Sequence, residues 1–373
     1  MRELKDVFLE KKHVGLRVDL NVPIDDGVVM NDERLSATLP TILEILKSTN
    51  NLSIISHLGR PKEGEFNDDL SLRPVMEWFE KRLNIPIKLV DSIEDLNGGV
   101  LFLENIRMFT GESENNNDLA RRLASQFDVY VMDAFATAHR KSASTYGAII
   151  NSKEACAGLL FAKELDNLSK VLDSSSNLLS VVGGSKVSTK LEVISNLLLK
   201  SENVLVGGGI ANTFLKAKGF NIGKSLVEND MVLIAKKMLE TGKIILPNNV
   251  CISNSTQSDD FKYVPVNLVP DEKMILDVEL NHQELLNKNF DSVLWNGPLG
   301  IFEIDNFAKG TKDLVNYLTR SGLKVVAGGG ETIFAISKYS DKKNFDYVST
   351  AGGAFLDYIS GKNLPSVEAL ELK

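Results

Sequence analysis

The sequence predicts an α/β fold built as two doubly wound parallel-sheet domains. Three observations carry that prediction. At 373 residues the chain exceeds what one hydrophobic core ordinarily supports. Short β-branched runs alternate with longer segments of helical spacing along its whole length. Its special residues are also divided, because ten of the eleven arginines lie in the first 140 residues and nineteen of the 27 glycines lie after residue 150.

In the first half, Val14 to Val18, Leu52 to Ile55, Ile87 to Val90, Val100 to Leu103 and Val129 to Met132 read as buried strands. Leu35 to Leu46, Leu72 to Leu83 and Leu119 to Phe127 have helical spacing between them. The alternation resumes with strands at Leu178 to Val182, Val204 to Val206, Ile244 to Leu246, Val293 to Trp295 and Leu323 to Ala327, and helices such as Lys190 to Leu199 and Phe307 to Leu318. Parallel sheets covered by helices on both faces follow. A helical pattern from Glu154 to Leu172 runs into the turn-forming stretch Asp173-Ser-Ser-Ser-Asn177 where arginine disappears. The expected division is therefore an N-terminal domain over 1–155, an interdomain helix over 156–172 and a C-terminal domain over 173–362.

A formal net charge of -8 argues against a nucleic-acid protein, which would need a broad cationic face. The arginines are a local device. Cys156 and Cys251 are too few and too separated for a disulfide framework or a zinc site. The first twelve residues, MRELKDVFLEKK, hold no uninterrupted apolar stretch, and no run of about 18 apolar residues occurs. The expectation is a cytoplasmic protein with no membrane partner.

In open α/β sheets ligands sit outside the carboxyl ends of the strands, so strand exits are the positions to read. The first half gives Asp19-Leu20-Asn21-Val22-Pro23, then Ser56-His57-Leu58-Gly59-Arg60-Pro61, then Glu104-Asn105-Ile106-Arg107, then Asp133 to Arg140, with Arg34 ahead of the first helix. One reading is a pocket where Arg34, Arg60, Arg107 and Arg140 surround a small polyanion and Asp19 and Asn21 bond its hydroxyls. The other is a set of solvated or ion-paired arginines and a structural His57. Repetition at successive exits favours the first.

Four glycine clusters follow strands in the second half and precede helical patterns: Gly183-Gly184-Ser185-Lys186, Gly207-Gly208-Gly209, Gly328-Gly329-Gly330-Glu331-Thr332 and Gly352-Gly353. Backbone N–H groups at such junctions suit phosphates. No P-loop, dinucleotide fingerprint or protein-kinase signature occurs. Lys186 and Lys190, four apart, would share one face at a helix start and meet a phosphoryl group, or form a solvated turn. Asn296-Gly297-Pro298 reads as a rigid loop beside a ligand or as ordinary turn chemistry. Glu303 reads as a ribose acceptor or a surface carboxylate. Glu331 stands where a carboxylate could hold Mg2+ beside nucleotide oxygens.

These segments, VDLNVP, SHLGRP, LENIR, DAFATAHR, GGSKVSTK, GGGIANTFLK, WNGPLGIFE, GGGET and STAGGA, resemble the successive signatures of the phosphoglycerate kinase family, in family order and across nearly the whole chain. The resemblance implies a hinged two-domain enzyme with a cleft. Its reaction would move a phosphoryl group between 1,3-bisphosphoglycerate and ADP, giving 3-phosphoglycerate and ATP. It assigns phosphoglycerate to Asp19, Leu20, Asn21, Arg34, His57, Leu58, Gly59, Arg60, Arg107 and Arg140. It assigns the nucleotide to Gly183, Gly184, Lys186, Lys190, Gly207, Gly208, Asn296, Pro298, Glu303, Gly329, Gly330, Glu331 and Thr332. Arg34, Lys190 and Lys186 would be catalytic, ADP or ATP would come with Mg2+, and the protein would be a monomer whose tail, 363–373, folds onto the N-terminal domain.

Three positions depart from the family pattern. Glu331 replaces an Asp and lengthens the metal arm by one methylene, while Ala351 and Ala136 replace glycines and would be strained if those positions need a positive φ. Two rival readings remain on general grounds. A two-lobed small-molecule binding protein would also pair α/β domains, although such proteins are commonly exported. A nicotinamide dehydrogenase would need the missing fingerprint.

Overall fold

The computed structural model describes residues 1–173 and 175–373; Ser174, in the turn expected at 173–177, lies outside the described residues. The chain divides into two compact units, Met1–Asp166 with Asn363–Lys373, and Asn167–Lys362.

The first unit runs β1 (Val14–Arg17), a small hairpin of β2 (Ile24–Asp25) and β3 (Val28–Val29), α1 (Glu33–Leu46), β4 (Leu52–Ile55), α2 (Arg73–Leu83), β5 (Lys88–Val90), β6 (Val100–Leu103), α3 (Asn117–Ser125), β7 (Val129–Met132), α4 (Ala148–Asn151), β8 (Ala155–Ala157) and the first half of α5 (Leu159–Asp173), whose residues from Asn167 belong to the second unit. Six strands form a parallel sheet in the order β5-β6-β4-β1-β7-β8. Strand order reverses at β1, between β4 and β7, which is where such sheets open a crevice for ligands. The register sets the exits level. Arg17 pairs with Ile55 on one side and Met132 on the other, so the residues after β1, β4 and β7 leave the sheet together. Val14, Leu16, Leu35, Ile42, Ile45, Leu52, Ile54, Phe79 and Phe102 are fully buried around this sheet, and the apolar stripe of α1 supplies three of them.

The helical reading of residues 154 to 172 is right only from Leu159, because Ala155, Cys156 and Ala157 are a strand paired with Tyr130, Val131 and Met132. Three small apolar residues carry no period that separates helix from strand, and the open edge of β7 decides. The helix proper begins after Gly158, where the Oδ1 of Asp133 accepts the Phe161 N–H at 2.9 Å. Asp133 follows β7 and is completely buried.

The second unit runs β9 (Leu178–Val182), α6 (Leu191–Lys200), β10 (Asn203–Val206), α7 (Gly208–Ala217), α8 (Val232–Leu239), β11 (Ile244–Ile245), β12 (Asn249–Ser253), β13 (Phe261–Pro265), β14 (Met274–Val278), α9 (His282–Leu286), β15 (Ser292–Asn296), α10 (Lys309–Arg320), β16 (Lys324–Gly328), α11 (Gly330–Tyr339), β17 (Tyr347–Ser349) and α12 (Gly353–Ile359). Its parallel sheet has the order β11-β10-β9-β15-β16-β17. The α/β class therefore holds in both units. An antiparallel sheet, β13-β12-β14, was not among the expected elements. Each of the four glycine clusters sits at the end of a strand and opens the next helix or turn.

The last helix, α13 (Pro365–Glu371), belongs to the first unit. Ser366 is buried there. Its Oγ donates to the Thr145 carbonyl at 2.7 Å, and its N–H donates to the Ala138 carbonyl at 3.1 Å. Among the described residues no helix is long and apolar enough to cross a membrane.

Burial lifts the Asp133 carboxyl to about 7, against hydrogen bonds from the Phe161 and Leu160 N–H groups that pull it down. The unfolded chain loses that proton near the ordinary value of 3.8, so between about pH 4 and pH 7 the folded form binds more protons. The associated stability is complete at low pH and lost as pH rises through about 7. Calorimetry should show wild type gaining melting temperature relative to Asp133→Asn between pH 8 and pH 5.5; a constant difference would contradict this.

Candidate active site

The end of β1 carries the first unit's polar groups. Arg34, in the first turn of α1, donates from Nη1 to Asp19 Oδ2 at 2.5 Å. The other oxygen of Asp19 accepts the Asn21 N–H at 3.1 Å, and Asn21 Oδ1 accepts the Gly59 N–H at 2.9 Å. One carboxylate and one amide thus join the exits of β1 and β4 to the start of α1. Arg107 donates from Nη1 to the Gly59 carbonyl, which fixes a third exit to the second.

His57 sits beneath these groups at 3% exposure. Burial, followed by the positive charges of Arg17, Arg107, Arg140 and Arg34, holds its pKa well below 6.5. It is a neutral imidazole. Its Nδ1 lies 3.4 Å from Arg17 Nη2, a group that can only donate, so the proton resides on Nε2, which faces Asp19 Oδ1 at 3.9 Å. Burial, together with the charges of Arg140 and Arg17, brings the Arg107 guanidinium down to about 10. Four cations crowd one histidine, and a polyanion is the ligand that such crowding favours.

Sequence reasoning overlooked Arg17. It lies in β1 at 2% exposure, donates from Nε to Ser144 Oγ at 2.9 Å and from Nη1 to the Val18 carbonyl. Ser144 Oγ in turn donates to the buried Glu112 at 2.5 Å, so a carboxylate balances this charge through one hydroxyl. The signal was available: a lone charge inside a fully apolar strand must have polar partners. Leu20 and Leu58 belong to the hydrophobic core, and Arg60 and Arg140 are exposed.

In the second unit a cavity of about 550 Å³ opens beside the glycine turns. Gly184, Ser185, Gly208, Gly209 and Glu331 line one part of it. Leu226, Met274, Leu276, Val278, Leu299 and Ile301 give an apolar part, with Pro298 and Glu303 on the same wall. A polar end built of helix starts and an apolar end of aliphatic side chains suit a phosphorylated heteroaromatic ligand.

Lys190 stands at the carboxyl ends of two strands. Its Nζ donates to the Gly183 carbonyl after β9 at 2.6 Å and to the Asn296 carbonyl of β15 at 3.3 Å. Burial lowers its pKa to about 8, partly offset by the Glu331 carboxylate. The pairing expected for Lys186 does not form. A 3-10 turn, Ser188–Lys190, precedes α6, so the two lysines share no regular helix face, and Lys186 is exposed with its charge acting on Glu228.

Asn296 and Thr332 are engaged within the protein. Asn296 Nδ2 donates to the Gly328 carbonyl at 2.8 Å, and Thr332 Oγ1 accepts the Gly297 N–H at 2.7 Å. They shape the turn that Gly329, at φ +98, makes into α11. Gly183, Gly207 and Gly330 lie outside the cavity lining. Ala136 and Ala351 are not strained, because neither is among the residues of positive φ. Among the described residues no three carboxylate, His or Cys groups converge as a metal site. Glu331, exposed in the first turn of α11, is the carboxylate that lines the cavity beside the glycine turns.

Residues 4–362 match the sequence model of a family described as phosphoglycerate kinase. A phosphoglycerate kinase of Francisella philomiragia is 46% identical over 99% of this chain and 98% of its own length. One of Francisella tularensis subsp. novicida is 45% identical at the same coverage. Among solved structures, the phosphoglycerate kinase of Coxiella burnetii aligns with a TM-score of 0.95 at 41% identity over 99% of this chain and 98% of its own. That of Pyrococcus horikoshii aligns at 0.79 and 28% identity over 100% of this chain and 99% of its own. The chain belongs to the phosphoglycerate kinase family, and is a phosphotransferase that moves a phosphoryl group reversibly between 1,3-bisphosphoglycerate and ADP.

Proposed function

We propose that the first unit binds the phosphoglycerate and the second the nucleotide, with the phosphoryl group passing directly between them in line. The phosphoglycerate would be held by Asp19, Asn21, Arg34, His57, Arg60, Arg107 and Arg140. The nucleotide would occupy the cavity, with its phosphates toward Gly184, Gly208, Lys190 and Glu331, and its ribose at Glu303. The observation that carries this reading is the desolvated Lys190 ammonium beside a glycine-lined cavity, matched in the other unit by cations gathered around a neutral His57.

Phosphoryl transfer depends on positioning and charge stabilisation and needs no nucleophilic side chain. Lys190 and Arg34 would place positive charge on the equatorial oxygens of the transferring group. His57 Nε2–H would donate to the phosphoglycerate, and Asp19 would orient Arg34. Mg2+ fits as a partner of nucleotide oxygens rather than as a resident ion, since Glu331 is one carboxylate and magnesium is commonly held by one or two carboxylates plus substrate phosphates. Bound there, it would neutralise charge on the nucleotide phosphates. We further read the protein as a cytoplasmic monomer, with the domain division in the segment 156–172. Because an acyl phosphate hydrolyses readily in water, the two ligands must be brought together and shielded before transfer.

Three measurements test this. A coupled assay of ATP formation from ADP and 1,3-bisphosphoglycerate should show Lys190→Ala reduced on the order of 100- to 1000-fold in turnover; near-normal turnover would remove Lys190 from the reaction. In wild type kcat/KM for ADP should fall as pH rises through about 8, where Lys190 loses its proton, with that limb moved upward in Lys190→Arg; an unmoved limb would assign it to another group. Arg34→Ala should fall on the order of 100-fold in kcat with its KM for ADP unchanged. A raised KM for ADP there would contradict the assignment of ligands to units.

A further inference from the structure

The nucleotide cavity has one wall whose shape depends on a buried carboxylate. Asp277 lies on β14 between Leu276 and Val278 at 1% exposure, and all three residues line the cavity. Its Oδ2 accepts the Tyr263 hydroxyl of β13 at 2.9 Å and the Gly310 N–H of α10 at 2.8 Å. The residue preceding α10, Ala308, gives that helix no side-chain cap, so the strand supplies the anion its first turn favours.

The other oxygen, Oδ1, is buried with no hydrogen-bond partner among the described residues. It is wedged between two backbones. A Cβ on Gly300 would lie 2.0 Å from Oδ1, and one on Gly310 would lie 2.8 Å from it. Glycine at both positions lets the loop and the helix close on the carboxylate. The loop is also tied to β14 next door, where the Ile301 N–H donates to the Leu276 carbonyl at 3.0 Å. Pro298, Leu299, Gly300, Ile301 and Glu303 of that loop all face the cavity.

We propose that Asp277 is a positioning residue for the nucleotide: by gripping Tyr263 and Gly310 while Gly300 packs on it, its carboxylate fixes the loop 297–303 against β14 and so sets the nucleotide wall. This rests on the reading of the cavity as the nucleotide site. A purely structural acceptor could be neutral, whereas burying an ionisable group with one oxygen unpaired is costly. The ionised form makes the stronger bonds to Gly310 and Tyr263, and protonation weakens them.

The charged and titratable neighbours are known from every element packed on it. Tyr263 stands on β13, Cys251 on β12, Glu279 just after β14, and Lys309 and Asp313 on α10. Lys309 is engaged by Asp313 at 2.5 Å and Glu279 at 3.4 Å. Burial lifts the Asp277 carboxyl to about 7, with Asp313 adding to the rise.

The test is steady-state kinetics of the full chain from pH 6 to 9 for wild type, Asp277→Asn and Tyr263→Phe, with direct ADP binding by calorimetry. Wild type should bind ADP, with KM for ADP rising as pH falls through about 7. Asp277→Asn should raise KM for ADP about tenfold at pH 8, lose that low-pH limb, and keep KM for 1,3-bisphosphoglycerate and saturated kcat within about twofold. Tyr263→Phe should move the ADP KM in the same direction by less, and it decides the matter if the Asn variant fails to fold. An Asn variant with wild-type ADP KM and pH profile, or one losing both KM values and kcat in proportion, overturns the proposal. Failure of wild type to bind ADP overturns the nucleotide reading itself, and this inference with it.

Discussion

The ammonium of Lys190, lifted out of water onto two backbone carbonyls, is the interaction on which the proposed nucleotide site of the second unit depends. Gly183 and Asn296 offer their oxygens at the carboxyl ends of neighbouring parallel strands, β9 and β15, the Asn296 oxygen accepting the Gly183 N–H at 2.9 Å as well as the ammonium. Dipoles alone compensate the charge incompletely, and burial lowers its pKa to about 8. An ammonium held in that state favours an anion more than a solvated lysine does, since less water must be displaced when phosphate arrives. The exposed Lys186 lacks this property.

The first unit reaches a comparable condition by a different route. Its cations are arginines whose forks are already held: Arg34 by Asp19, Arg107 by Gly59, and Arg17 by Ser144 and Val18. Burial, reinforced by their positive charges, keeps His57 neutral, and Arg17 beside Nδ1 fixes which nitrogen carries its proton. Level strand ends make this possible, because the pairing of Arg17 with both Ile55 and Met132 delivers three exits to one edge of the sheet. The sheet is the ruler and the exits are the chemistry.

Much of this was legible in the sequence for a physical reason. Buried parallel strands are short apolar runs with nothing polar until they end, so both the strands and the exit residues Asp19, His57 and Arg107 could be read from one pattern. What escaped lacked that pattern. The strand at Ala155 to Ala157 is too small-sided to show a period. In the antiparallel sheet of β12, β13 and β14 the edge strand β13 is largely exposed and its apolar residues are interrupted, and the part of the cavity wall that β14 supplies went unseen. Arg17 and Asp277 stand inside strands, where the reading of exits does not look. Lys186 was over-read, because spacing of four implies a shared face only in a helix that has already begun.

Whether Lys190 is a desolvated cation ready for phosphate is tested most directly by following the lysine side-chain resonances by NMR against pH, assigned with Lys190→Arg, in the ligand-free chain and with ADP bound. Lys190 should titrate near 8 without ligand and move upward when the nucleotide's negative charge is beside it. Titration at the ordinary lysine value of 10.5, unmoved by ADP, would contradict it.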